Sequence, residues 1–325
     1  MNGKVVVHGG AGRWRLDEGQ SVGVIQTLKR AAESAVKVIR SGDAVDAVVE
    51  AVCIMEESGA FNAGRGSVLN LEGEMELDAG IMDGEKLLAG GVGCVKDVPH
   101  PVKLARVVME KTAHVLMVSS GAEKLAEAYG LREKLLPTKQ REENYAQNRK
   151  AYVESPQQAW LKNLDANYLR ASGVGDTVGA VAIDDQGKLA AATSTGGIPF
   201  KLPGRVGDSP LAGLGFYAMK DIGAASATGT GELIAKYGLC LRTINYMAER
   251  RAAPVAAKMA IEELSRLFGG DTAGVIAIDS RGVPGVFANT EAIAVAFCGS
   301  GTDPYAKLVK RDEIEGFRRV ISRRL

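Results

Sequence analysis

The spacing of hydrophobic and polar positions predicts a chain in which strands and helices alternate. Valines at 5–7 predict a short buried strand that ends in a glycine turn at 8–12. Asp43 is a suitable N-cap for a helix through 45–52. A helix before it is predicted by apolar residues that recur three or four positions apart, at Ile25, Leu28, Ala32, Ala35 and Ile39.

The same reading continues along the rest of the chain. Strands are predicted at 67–70, 74–78, 90–94, 114–119, 178–183 and 189–193. Helices are predicted at 101–110, 120–129, 231–248 and 253–267. A last hairpin is predicted near 273–290, followed by a basic tail.

A polar, charged segment at 138–176 interrupts this pattern and shows no strand alternation. Nearly forty residues without a strand are unusual inside a compact domain and are often functional. The simplest interpretation is a surface linker that contains a helix. It ends abruptly at Thr177, where the apolar run 178–183 begins.

Composition excludes several classes of protein. Lysine and arginine number 40 and aspartate and glutamate 39, so the formal charge is +1. This balance gives no reason to expect binding to nucleic acid or to an anionic membrane. No apolar run approaches the roughly 20 residues of a membrane helix, and the first strand leaves no room for a signal segment. We therefore expect a cytoplasmic location.

Cysteine and histidine are few and scattered, and glycine is abundant. The four cysteines (Cys53, Cys94, Cys240 and Cys298) form no CxxC pair, and the three histidines form no HExxH cluster. Reduced, buried thiols are expected, without a zinc site or a histidine-built metal centre. Glycine accounts for 40 of 325 residues, far above the roughly 7% of an average protein.

Candidate chemistry is concentrated after Thr177. Four short segments hold threonines, an arginine and an aspartate but no histidine or cysteine: Asp176-Thr177, Thr193-Ser-Thr-Gly-Gly197, Gly204-Arg-Val-Gly-Asp-Ser-Pro210 and Ala227-Thr-Gly-Thr-Gly-Glu232. A threonine nucleophile without histidine needs another base, and an amino-terminal α-amine, with a pKa of about 7.7–8.0, can serve. That chemistry requires cleavage of the chain just before Thr177.

Each segment also has a purely structural interpretation. The glycines can form tight turns, and Arg205 with Asp208 can form a surface ion pair worth about 0–1 kcal/mol. The turn at 8–12 lacks a phosphate-binding glycine pattern. A similar segment at 270–279 contains Thr272 but no Ser-Thr-Gly-Gly follows it at the same offset, so we interpret Thr272 as structural.

These segments stand beside others in a distinctive order. The others are Val7-His-Gly-Gly-Ala-Gly12, Phe61-Asn-Ala-Gly-Arg-Gly-Ser67, Glu76-Leu-Asp-Ala79 and Ile81-Met-Asp-Gly84, and the Asp176-Thr177 segment continues as Asp176-Thr-Val-Gly-Ala-Val-Ala182. Over nearly its whole length the chain resembles the plant-type asparaginase/isoaspartyl aminopeptidase family of amino-terminal-nucleophile hydrolases. The resemblance implies hydrolysis of the β-amide of L-asparagine and of β-aspartyl peptides.

The resemblance also implies residue roles. Thr177 matches the nucleophile released by autocleavage after Asp176, and Thr195 matches a second threonine that hydrogen-bonds near it. The other matches are the oxyanion-hole residues Thr228 and Gly229, the substrate-binding residues Arg205, Asp208 and Gly231, and Asn62 near the nucleophile. No cofactor is implied for catalysis, but a structural sodium ion is. Its ligands would be the backbone carbonyls of Met55, Glu56, Ser58, Phe61, Ala63 and Arg65.

The fold implied is α+β, a four-layer αββα sandwich of the amino-terminal-nucleophile hydrolase type. It would form one domain over 1–325, with an α-subunit at 1–176, whose residues 138–176 are the polar linker, and a β-subunit at 177–325. A dimer of αβ heterodimers that acts on a small molecule or peptide is the implied assembly. Neither nucleic acid nor a membrane is an expected partner.

Three alternatives remain open. An Asp-Thr pair at this position is typical of glycosylasparaginases, whereas many asparaginases have Gly before the threonine. The Ser-Thr-Gly-Gly segment and the absence of a signal segment favour the asparaginase branch. A protease branch that cuts intact proteins after Asp shares Asp-Thr-Val-Gly. The chain could also be an uncleaved, non-catalytic ligand-binding protein.

Overall fold

The computed structural model describes residues 3–152, 177–317 and 320. Asp176, most of the basic tail and the second half of the polar linker lie outside these residues. The predicted cleavage junction is therefore described only on its Thr177 side.

The first two helices begin where capping side chains satisfy free backbone amides. The side chain of Asp17 accepts a hydrogen bond from the Gln20 amide at the start of the first helix, and Asp43 caps the second as predicted. None of the helices in the described ranges is long and apolar enough to cross a membrane. The helices are α1 Glu18–Ile39, α2 Ala44–Glu57, α3 Pro101–Lys111, α4 Ser119–Ala128, α5 Lys139–Tyr152, α6 Gly231–Tyr237, α7 Leu239–Ala248 and α8 Ala253–Phe268.

Twelve strands within the described residues form two sheets. They are β1 Lys4–Gly12, β2 Leu77–Asp83, β3 Leu88–Val95, β4 Leu116–Val118, β5 Val178–Ile183, β6 Leu189–Thr195, β7 Phe216–Met219, β8 Gly223–Gly229, β9 Ala273–Asp279, β10 Pro284–Ala288, β11 Ala292–Gly299 and β12 Tyr305–Lys310. The larger sheet has the order β12-β11-β1-β5-β6-β2-β3-β4, and the smaller has the order β10-β9-β8-β7. Strands from both sides of Thr177 thus share the larger sheet.

Alternate residues of one strand enter different apolar cores. Val5 and Val7 pack with α1, α2 and α3, whereas Val6 packs between the two sheets. A third core lies between the smaller sheet and helices α6 to α8, and includes Ala225 and Ala227 of β8. Because side chains alternate across a strand, burial on both faces produces the continuous apolar runs seen in the sequence. Each fully buried valine contributes about 1.5–3 kcal/mol.

The prediction of a glycine turn at 8–12 is wrong, because strand β1 continues through these residues with an irregularity in register between His8 and Gly10. A side chain at Gly9 would overlap the buried Phe61 ring, so glycine here allows close packing. The predicted strand at 67–70 is a loop, and the strand predicted at 74–78 begins only at Leu77.

The predicted helix at 231–248 is two helices, since Gly238 adopts a left-handed conformation with φ +73°. Strands β7, β8, β11 and β12 were not predicted, although the other elements lie close to their expected positions. The sequence of β8, GAASATG, contains no β-branched aliphatic residue. Its pairing with β7 and β9 and its burial on both faces determine its structure instead of its local propensity.

Candidate active site

Two threonines meet at one end of adjacent strands. Thr177 immediately precedes β5 and Thr195 ends β6, and the pairing of Val178 with Ser194 brings them side by side. Thr177 Oγ1 donates to Thr195 Oγ1 at 3.2 Å. Thr195 Oγ1 also accepts from the Gly197 amide at 3.0 Å. The hydroxyl proton of Thr177 is thereby directed at Thr195, and its lone pairs remain available to an electrophile.

A small cavity adjoins this pair of hydroxyls. Its lining residues are Thr177, Thr195, Gly197, Ile198, Arg205, Asp208, Ser209, Gly229 and Gly231. Six of the eight residues that the sequence singled out for catalysis and substrate binding are therefore together. Thr228 and Asn62 are not in the lining, and both are buried. The Met55–Arg65 segment lies outside the lining as well.

Arg205 and Asp208 converge on the backbone of Gly231. A Cβ atom at Gly231 would lie 2.8 Å from Asp208 Oδ1 and 2.9 Å from Arg205 Nη2, so only glycine leaves room for both charges. Arg205 Nε donates to Glu232 Oε1 at 2.8 Å, which fixes the direction of the guanidinium group. The sequence motif Ala227–Glu232 contains Glu232 but does not indicate its role, because the motif does not reveal that its partner is Arg205.

Asp208 is a buried carboxyl with spare hydrogen-bonding capacity. Its side chain is 4% exposed, and its Oδ2 has no hydrogen-bond partner within the described part of the chain. Burial raises the pKa of Asp208 to about 7, although the nearby Arg205 opposes this shift. A cationic group entering the cavity would supply the missing partner and favour the ionised carboxylate.

The last residue of β8, Gly229, has a backbone conformation that favours glycine. Gly229 has φ +139°, and a side chain there would overlap the Thr272 carbonyl. Thr230 N donates to that carbonyl at 2.8 Å. The Thr272 hydroxyl accepts from Asn289 Nδ2 at 2.7 Å, in agreement with the structural interpretation of this threonine. Gly229 reaches the cavity, and Thr228 precedes it inside the strand.

Asn62 holds the loop that follows Thr195. Asn62 Nδ2 donates to the Gly197 carbonyl at 2.6 Å, and Asn62 Oδ1 accepts from Val68 N at 2.9 Å. Its own carbonyl accepts from Gly196 N at 3.0 Å. Because Gly197 N in turn donates to Thr195 Oγ1, Asn62 supports the loop that contacts Thr195.

The sequence also failed to identify buried polar supports beneath the site. His8 Nε2 lies 2.9 Å from Ser226 Oγ and links the two sheets. Burial lowers the pKa of His8 to about 3, so the ring is neutral at ordinary pH and gives the site no cation. Lys201 is 1% exposed, and its Nζ donates to the Glu76 carbonyl at 2.9 Å and lies 3.8 Å from Asp78.

The segment with the predicted sodium ligands folds back on itself. A side chain at Gly66 would overlap the carbonyl of Phe61 and lie 2.7 Å from that of Gly59, so both carbonyls face the inside of the loop. Ser58 Oγ donates to the Met55 carbonyl at 2.7 Å. Neutral carbonyl oxygens suit a hard cation, and a carbonyl that accepts one hydrogen bond keeps a second lone pair.

The visible part of the polar linker is a helix, as predicted, and it packs beside this loop. Arg141 Nε of α5 donates to the Gly66 carbonyl at 2.7 Å. Tyr145 hydroxyl donates to the Leu71 carbonyl at 3.0 Å, and its ring stacks on Phe200 with centroids 5.2 Å apart. Helix α5 therefore joins the loop before β2 to the segment that follows Thr195.

Comparison with known proteins supplies the family. The family model described as asparaginase (Asparaginase_2) matches residues 1–305. The chain belongs to the asparaginase family. Its similarity to this family continues across both sides of Thr177, so the segments that form the cavity all lie within the matched residues.

Individual relatives in the asparaginase family are similar over most of the chain. The plant-type L-asparaginase of Pyrobaculum calidifontis is 46% identical over 290 residues, which cover 89% of this chain and 95% of that protein. The isoaspartyl peptidase/L-asparaginase of Danio rerio is 44% identical over 285 residues, 86% of each chain. The plant-type L-asparaginase of Pyrococcus abyssi is 38% identical over 297 residues, 91% of this chain and 96% of that one.

Truncating Asn62 tests its positioning role. Asn62→Ala leaves the buried Gly197 carbonyl and Val68 amide without these partners, at about 1–3 kcal/mol for each unsatisfied group. We expect a melting temperature lower by several degrees and a lower kcat. Calorimetry and steady-state kinetics measure both. Asn148→Ala, on the exposed face of α5, is the control and should change neither. Equal behaviour of the two variants would contradict the positioning role.

Proposed function

We propose that this protein hydrolyses the β-amide bond of L-asparagine and of β-aspartyl peptides, with Thr177 as an amino-terminal nucleophile. The observation that carries the proposal is the hydrogen bond from Thr177 to Thr195 at a cavity that also contains Arg205 and Asp208. The relatives named plant-type L-asparaginase and isoaspartyl peptidase/L-asparaginase support the reaction class, an amidohydrolase.

The charged pair in the cavity fits the head group of a free amino acid. The planar guanidinium of Arg205 suits the α-carboxylate, and the unpartnered Oδ2 of Asp208 suits the α-ammonium. A ligand held at both groups presents its β-carbonyl to Thr177. L-asparagine and β-aspartyl peptides share this head group and this amide, so one site serves both.

Maturation uses the same hydroxyl. Thr177 Oγ1 attacks the carbonyl carbon of Asp176, the peptide C–N bond breaks, and the proton of the hydroxyl is transferred to the departing nitrogen. The amine of Thr177 is then free, and water hydrolyses the resulting ester, which releases the fragment 1–176 and restores the Thr177 hydroxyl. The burial of Thr177, which is 4% exposed, and its hydrogen bond to Thr195 support this internal reaction.

Catalysis follows with the freed amine as the base. It takes the proton from Thr177 Oγ1 as the oxygen attacks the β-carbonyl. Gly229 with Thr228 stabilises the oxyanion, and one such donor contributes about 3–4 kcal/mol. The amine or ammonia leaves with a proton, and water hydrolyses the β-aspartyl ester on Thr177. Ion binding takes no part in these steps.

The architecture supports the two-subunit form. The first apolar core lies between helices α1 to α3 and the larger sheet, the second between the two sheets, and the third between the smaller sheet and helices α6 to α8. This order of layers supports a four-layer αββα sandwich. Because β1 pairs with β5 and β11, the fragments 1–176 and 177–325 would remain joined in one sheet after cleavage. We further propose the dimer of αβ heterodimers and a structural sodium ion at the Met55–Arg65 segment.

Replacing the nucleophile tests the assignment. Thr177→Ala should remain one chain of 34.2 kDa and hydrolyse neither L-asparagine nor a β-aspartyl dipeptide. The matched control is Thr272→Ala, since Thr272 also follows a Gly-Asp pair and precedes a buried strand. Electrophoresis and an ammonia assay should show cleavage and activity in the control. Normal cleavage of Thr177→Ala would exclude this nucleophile.

Replacing Arg205 separates substrate binding from maturation. Arg205→Ala removes charge-assisted hydrogen bonds worth about 1.5–3 kcal/mol, so kcat/KM for L-asparagine should fall about ten- to hundredfold. Self-cleavage involves no free α-carboxylate and should proceed at a similar rate. Kinetics on the matured protein and a time course of cleavage measure the two effects. An equal loss of both would count against the carboxylate role.

Asp208 predicts the pH dependence of binding. Burial raises its pKa to about 7, so below this pH the carboxyl becomes neutral and cannot pair with an ammonium. We expect KM for L-asparagine to rise as the pH falls through about 7, because the bound ammonium favours the ionised form. In Asp208→Asn, KM should be high and should lose this dependence. The same KM profile in both proteins would contradict the assignment.

Asp176 before Thr177 is the observation that favours a second candidate, glycosylasparaginase activity. Both reactions use the same head group and nucleophile, and they differ in the leaving group. Rates on glycosylasparagine and on a β-aspartyl dipeptide, measured with one matured preparation, distinguish them. Preference for the sugar-linked substrate would replace the proposed substrate class and keep the threonine mechanism.

A further inference from the structure

A group of metal-binding side chains lies away from the cavity, where α2 meets α3. Cys53 and Glu56 are three residues apart on α2, so they share one helix face, and His100 directly precedes α3. One donor atom from each lies within 4.8 Å of the other two. Cys53 is 8% exposed, Glu56 is fully buried, and the His100 side chain is 25% exposed.

The separations suit a tetrahedral ion after a small side-chain rotation. His100 Nδ1 lies 3.2 Å from Glu56 Oε2. Zinc bonds of about 2.0–2.2 Å to nitrogen and oxygen place two tetrahedral ligands about 3.4 Å apart. Because Zn–S is about 2.3 Å, the sulfur needs to move toward the other two donor atoms by at most about 1 Å. The Glu56 carboxylate is already oriented, because its Oε1 accepts from Val102 N at 3.2 Å.

The environment of the Cys53 thiol is a second, independent observation that favours a bound metal ion. Cys53 is buried, and its sulfur makes no hydrogen bond to any residue in the described ranges. The charges acting on it are Glu50, Glu56 and Glu57 against Lys103 alone. A buried, unpartnered thiol surrounded by an excess of negative charge is an environment in which a bound cation replaces the thiol proton.

A fourth side chain, Glu57, supports His100 from the side that faces away from Cys53 and Glu56. His100 Nε2 lies 3.4 Å from Glu57 Oε2. In metal sites the ligating histidine commonly gives its second ring N–H to a carboxylate, which fixes the tautomer and strengthens the ligand. Nδ1 is then left to face Cys53 and Glu56. Arg65 Nε in turn donates to Glu57 Oε1 at 2.8 Å and holds that carboxylate in place.

We propose that Cys53 Sγ, Glu56 Oε2 and His100 Nδ1 bind one zinc ion, with a water molecule as the fourth ligand on the exposed side of His100. A thiolate with an imidazole selects zinc over magnesium or calcium, which prefer all-oxygen sites. The site shares Glu56 with the proposed sodium segment but uses its side chain, whereas the sodium ligands are main-chain carbonyls. It contains none of the residues around Thr177. Zinc there would tie the last turn of α2 to the start of α3.

Metal binding to the full-length protein tests the site without reference to activity. After removal of metal by chelation, the protein is titrated with Zn²⁺ in a calorimeter and separately with Co²⁺ in a spectrophotometer. We expect one equivalent per chain, a thiolate-to-cobalt charge-transfer band and a higher melting temperature with zinc. Cys53→Ser should lose the band, and His100→Gln should weaken zinc binding at least about tenfold.

Matched controls identify the ligands. Cys298→Ser removes another buried thiol, and His114→Gln removes an exposed histidine; both should bind zinc and cobalt as the wild type does. If Cys53→Ser does not fold, Glu57→Gln, at a half-exposed position, should still weaken binding about ten- to hundredfold. Absence of stoichiometric binding, a cobalt spectrum without the thiolate band, or equal loss in the controls would overturn the proposal.

Discussion

The pairing of β5 with β6 is the constraint on which the candidate site depends. Its register places Thr177 beside Thr195, and the resulting hydroxyl contact is 3.2 Å. Both strands are central in the larger sheet and buried on both faces, so they cannot slip without moving alternate residues between two apolar cores. The core thus fixes the position of Thr177.

Small residues allow charged groups and backbone to converge on that point. Gly231 leaves space for Arg205 and Asp208, and Gly229 adopts a conformation that brings its backbone to the cavity without a clash with Thr272. A larger side chain at either position would displace the groups that line the cavity. This explains part of the high glycine content. Several glycines lie within strands or at helix starts, where they allow other groups to pack closely against the backbone, as the Phe61 ring does at Gly9.

Much of the site was predictable from sequence, since its residues occur in short motifs with a distinctive order. Helices were predictable where capping residues and apolar spacing agree, as at Asp43. Strand β8 was not, because its alanines and glycines carry little local preference and only pairing with neighbouring strands determines it. The roles of Glu232 and Ser226 and the proximity of Cys53 to His100 depend on residues far apart in sequence, so no local pattern predicted them.

Mass spectrometry of the matured protein, quenched with acid during turnover of a β-aspartyl substrate, tests the central claim most directly. The account predicts two fragments, the second beginning at Thr177 and carrying a β-aspartyl ester on its first residue. Peptide mapping locates both the new terminus and the added mass. A terminus elsewhere, an ester on another residue, or full activity from an uncleaved chain would contradict the account.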